Sequence, residues 1–153
     1  MYEFLLTLHV LAAVVWVGGG IAMHILGRRV LKRNDPQEIY KFSAEVNIIG
    51  MRLYAPTSLI LLIAGILLVN QVESGAEFSQ LWINLAFIGW GFSFLVGVGY
   101  YGPQDKKLQA LVAAEGPTAP GVVANVRQAL LVNSIEILIL LLVVVDMTTK
   151  PGL

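Results

Sequence analysis

Four stretches of this chain, about 4–26, 53–69, 81–101 and 126–145, are long, apolar and almost free of charge. A helix that crosses a bilayer needs roughly 17–25 mostly apolar residues. In hydrocarbon no water is present to pair with backbone N–H and C=O groups, so stretches of this kind have to be helical. The expectation is an all-α fold: one integral membrane four-helix bundle occupying residues 1–153. Composition agrees. Hydrophobic residues make up 57% of the chain and charged residues 13%, against about half and about a quarter in a soluble domain. The first stretch starts without a basic segment and shows no small-residue cleavage motif, so it reads as a retained helix. The chain has no cysteine, which excludes disulfides, thiolate metal sites and cysteine nucleophiles. Its formal net charge of zero gives no reason to propose a nucleic-acid partner.

The connections set the orientation. Arg28, Arg29, Lys32, Arg33, Lys41 and Arg52 lie on or near the first connection, and Lys106, Lys107 and Arg127 on or near the third. Only Lys150 lies elsewhere, while the short second connection carries Glu73 and Glu77. Basic residues mark the cytoplasmic side. The chain is therefore expected N-out and C-out, as a multi-pass protein of a bacterial-type inner (plasma) membrane. Asp35-Pro36-Gln37-Glu38 reads as a helix start, with Asp35 as N-cap, Pro36 in the first turn and Glu38 closing a capping box. Ile39, Phe42, Val46 and Ile49 then recur at helical spacing. They predict an amphipathic cytoplasmic helix before the second span, either lying on the membrane surface or packed on the bundle. The third connection is expected to hold a short helix ending near Gly116.

Ionisable residues inside a membrane are functional candidates. At about 100° per residue, His9, Trp16 and Gly20 fall near one stripe of the first helix. His24 lies about 22 Å along the axis from His9, too far for both to bind one metal ion. His9 suits an axial haem ligand, with Gly18 to Gly20 leaving room for a flat macrocycle. It equally suits a copper ligand, half of a proton relay, or a neutral imidazole bonded to a neighbouring helix. On the fourth helix Asn133 and Glu136 share a face. Glu136 is expected to point into the bundle, as a proton carrier, an acid facing a metal or propionate, or a protonated acid bonded to Asn84 or Asn133. Arg52, at the mouth of the second helix, either holds a carboxylate or propionate or reaches lipid phosphate.

Leu8-His9, the spacing to Trp16, and the glycines after it resemble the opening of a superfamily of small four-span membrane proteins. It includes HemJ-type protoporphyrinogen oxidases, copper resistance D proteins and a family of predicted integral membrane proteins without assigned function. The chain looks most like the last. Arg52-Leu53-Tyr54 with Pro56 and Gly65, Trp82, Arg127, Asn133 and Lys150-Pro151 extend the resemblance over nearly the whole chain. It implies His9 on the inner face of the bundle. The HemJ likeness implies haem b on His9 and a redox or porphyrin-related role, with Trp16, Gly20, Arg52, Asn133 and Glu136 as further cofactor-binding candidates. The chain departs from that pattern at Asn84, where those proteins tend to carry lysine, and at Ser134, where they tend to carry an acid. The copper branch leaves copper as the alternative cofactor, although Met23, Met51 and Met147 are scattered. Two further readings stand beside haem binding: a non-catalytic accessory subunit, within a homodimer or larger membrane complex, and copper or proton transport through His9 and Glu136.

Overall fold

A computed structural model describes residues 1–152. Four long helices run antiparallel: α1 Tyr2–Arg33, α2 Pro36–Val69, α3 Leu81–Glu115 and α4 Pro120–Thr149. Each is long and apolar enough to cross a membrane, and no strand occurs among the described residues. Phe4, Leu11, Val14, Ile63, Ile88, Leu95, Leu131 and Leu142 are exposed on the outside of the bundle. So large an apolar surface has no counterpart on a soluble monomer, and lipid covers it.

The helices exceed the apolar stretches because local capping signals lie outside those stretches. Asn34, at φ 56°, ends α1 in the left-handed conformation, which asparagine tolerates better than most residues. Asp35 then caps α2, its Oδ1 accepting from the backbone N–H of Gln37 at 2.9 Å and of Glu38 at 3.3 Å. The expected capping box is half made, because the Glu38 carboxylate turns away to Arg33 at 3.2 Å. Gly116, at φ 85°, ends α3, where the sequence places the break.

The amphipathic segment continues into the second span without a break, as the first half of α2. It packs on the bundle and does not lie on the membrane surface. Ile39 is fully buried with Leu108, Ala119, Val122 and Val126, and Val30 and Leu31 of α1 pack against them. All four helices meet in this small core at the basic end. Towards the opposite end the bundle separates into two pairs, α1 with α2 and α3 with α4.

Close approach within the second pair depends on Gly89. A Cβ there would run into Val143 Cγ2, and valine in a helix has little χ1 freedom to withdraw. Gly89→Leu is expected to destabilise the protein by about 1–3 kcal/mol. Gly91→Ala, where no atom lies within 4 Å of the added Cβ, should cost nothing. Thermal unfolding of both variants in detergent, followed by circular dichroism, checks this; equal midpoints would show that the contact does not matter.

Three helices contain one π turn each: Val14–Gly18 in α1, Gly50–Tyr54 in α2 and Gly97–Tyr101 in α3. A π turn inserts one residue, so every later side chain moves one position round the helix. This rotation decides which residues face the interior.

Candidate functional site

The separation of the two helix pairs leaves a cleft of about 530 Å³ between them, within the range of small-molecule and cofactor sites. Its walls are apolar, with Trp16 from α1, Phe87 and Trp90 from α3, and Leu140 from α4. Trp90 joins the pairs at one point, its Nε1–H donating to the Ser58 carbonyl of α2 at 3.1 Å.

His9 lines this cleft. Its Nδ1 lies 3.0 Å from the Leu61 carbonyl oxygen. A carbonyl only accepts, so Nδ1 carries the proton and Nε2 is the nitrogen with a free lone pair. Gly65 makes room for the ring: a Cβ there would lie 3.1 Å from His9 Cε1. The imidazole is thus fixed in tautomer and position by α2. This hydrogen bond is the one a structural histidine makes, and also the one that orients a metal-binding histidine.

The residues expected on one stripe of α1 divide. Trp16 lines the cleft beside His9, and Gly18 leaves space in its wall. Gly20 does not reach it. The π turn moves the residues after Gly18 on by one position, and Ile21 takes the face that Gly20 would hold in a regular helix. Gly19 packs against the Tyr54 ring instead. Arg52 is exposed and lies outside the cleft wall.

Asn133 and Glu136 form a second group, nearer the basic end. Glu136 is buried. Its partners are neither Asn84 nor Asn133. Ser93 Oγ donates to Oε1, and Tyr101 Oη donates to Oε2 at 3.0 Å. Asn84 stays on its own helix end, bonded to the Phe78 and Gln80 carbonyls. Asn133 pairs with His24, its Oδ1 3.2 Å from Nδ1. Ser93 and Tyr101 are not among the candidate site residues that the sequence offers, where Tyr101 reads as an interfacial aromatic. Eight positions apart, they would diverge by about 80° on a regular helix. The π turn Gly97–Tyr101 removes one residue's rotation and brings them to within about 20°.

Met147 is another addition. The methionines look scattered along the chain, yet Met147 of α4 lines the same cleft as His9. At this end Lys150 Nζ lies 5.1 Å from the centroid of the Trp82 ring. Among the described residues no group of three or more histidine, aspartate or glutamate side chains could hold a metal ion.

Neither the proteins of curated function nor the solved structures contain a match to this chain. From residue 3 to residue 151 it matches one family, described as predicted integral membrane protein (DUF2269), and the chain belongs to that family.

Proposed function

We propose that this membrane protein binds a flat, largely apolar cofactor in the cleft between its helix pairs, and that the cofactor is haem b with His9 as an axial ligand. The observation that carries the reading is the His9 imidazole on the cleft wall, its Nδ1 held by Leu61. The donor set favours haem over copper. A porphyrin supplies four of the iron's ligands, so the protein need offer only one or two. A copper ion would need several side chains together. His9 provides one nitrogen, and Met147 puts a thioether in the same cleft. Trp16, Phe87 and Trp90 offer aromatic surface to a macrocycle. The likeness to HemJ-type proteins points the same way.

Bound there, haem would supply one-electron chemistry. The chain's own part is to hold the imidazole in one tautomer, keep water from the cleft and provide an apolar wall. Arg52 has no role in holding the group. The basic end, carrying Arg28, Arg29, Lys32, Arg33, Lys106 and Lys107, faces the cytoplasm under the positive-inside rule. The cleft then lies in the outer half of a bacterial-type plasma membrane.

Protein purified in mild detergent from haem-replete cells is expected to show a Soret band and to carry haem in proportion to chain. A colourless preparation would overturn the proposal. An accessory role has one observation in its favour: Gly97 and Gly99 are exposed, with nothing within 4 Å of an added Cβ. Such a surface suits a neighbouring transmembrane helix. Co-purification of a larger partner with a cofactor-free chain is the outcome that reading expects.

A further inference from the structure

The buried acid on α4 has an unusual set of partners for the middle of a membrane helix. Glu136 makes no ion pair; among the described residues the one salt bridge is Arg33–Glu38 at the surface. Two neutral hydroxyls hold it, one on each carboxylate oxygen. An acid bound to a fixed cation loses that pairing when it takes up a proton. An acid held by hydroxyls does not, because each hydroxyl can turn from donor to acceptor. Such a carboxyl can alternate between its two charge states with its neighbours in place.

The two hydroxyls come from residues at different levels of α3 and converge on one carboxylate. Tyr101 is on the side of the basic end, about 12 Å along α3 from Ser93. Ser93 is one helical turn from Trp90, and Glu136 one turn from Leu140; Trp90 and Leu140 both line the cleft. The acid therefore stands between the basic end and the floor of the cleft. Around Tyr101 the surroundings are polar. Asn133 stands beside its hydroxyl and is itself held by His24. The Tyr100 ring lies 5.4 Å away, and beyond it Gln104 meets Gln128 at 3.2 Å on the exposed surface. The titratable groups linked to Glu136 by these contacts are Tyr101 and Tyr100 from α3 and, through Asn133, His24 from α1. From α2, Tyr54 packs against Gly19 of α1.

We infer that Glu136 is a proton-exchanging site, loaded from the basic end through the Tyr101 hydroxyl and placed to exchange protons with whatever occupies the cleft. In the loading step Tyr101 passes its hydroxyl proton to Glu136 Oε2 while its oxygen takes one from a hydronium ion arriving at the basic end, which leaves as water. Ser93 holds Oε1 and marks the exit towards the cleft. Asn133 and His24 are positioning residues: the Asn133 amide stands beside the Tyr101 hydroxyl, and His24 holds the amide there. The inference needs no particular occupant in the cleft and stands apart from the haem reading.

Infrared spectroscopy of the whole protein in lipid tests it. In the difference spectrum between wild type and Glu136→Gln, which cancels any band of the other buried carboxyl, Asp146, a protonated-carboxyl stretching band should appear and should shift rapidly on transfer to D₂O. In Tyr101→Phe, which removes a single oxygen, the band should persist and its exchange should slow by about tenfold, the loss expected when one positioned proton-transfer group worth about 10²–10⁴-fold is partly replaced by solvent. His24→Leu should slow exchange by a smaller factor. Exchange in Tyr101→Phe as fast as in the wild type would overturn the route. Absence of the carboxyl band from that difference spectrum at every pH would overturn the site. Both results are read without haem, so a colourless protein leaves this test intact.

Discussion

His9→Ala is expected to abolish the Soret absorption of the purified protein. Alanine removes the one imidazole that the described residues place on the cleft wall, and with it the ring that Leu61 orients. Mutating merely the hydrogen-bond partners of a metal ligand costs about 10–100-fold in affinity. Loss of the ligand itself should exceed that, leaving haem occupancy below a tenth of the wild type's. Two comparisons separate ligation from a general loss of structure. Arg52→Ala should retain the full spectrum, since Arg52 is exposed and away from the cleft. Gly65→Ala should reduce or shift the band while the helices stay intact, because its Cβ would press on the imidazole at 3.1 Å. A His9→Ala protein with an unchanged spectrum would remove His9 as the ligand.

Ile39→Ala should unfold the basic end at markedly lower denaturant. Ile39 is fully buried against residues of α3 and α4. Truncating a buried isoleucine to alanine costs about 2–5 kcal/mol, the lost transfer energy together with the cavity left behind. Ile48 lies on the same helix but is 41% exposed, and Ile48→Ala should cost under about 1.5 kcal/mol, since less apolar area leaves contact. Hydrogen exchange of the 36–49 amides, read by mass spectrometry, distinguishes the two. If this segment lay on the lipid surface, the order would reverse or vanish. The contrast bears on the cleft as well, because the basic-end core clamps the helices from which the two pairs diverge.

Much of the fold follows from local rules. The number of spans, the start of α2 at Asp35-Pro36 and the end of α3 at Gly116 require only hydropathy and capping chemistry. Each of those signals lies within a few residues of the feature it specifies. The interior is different. Gly20 and Ile21 exchange places because of a π turn, and a second π turn aligns Ser93 with Tyr101 beneath Glu136. A periodicity of 100° per residue assumes no inserted residue, and nothing in Val14–Gly18 or Gly97–Tyr101 alone announces one.

The sequence by itself determined that this chain lives in lipid as four helices, because unpaired backbone and exposed charge are penalised at every residue independently. Tertiary structure alone decided where the cleft opens, that Met147 joins His9 in its wall, and which hydroxyls reach Glu136. Those outcomes depend on how helices distant in sequence diverge and rotate against one another, and that is set by packing between faces.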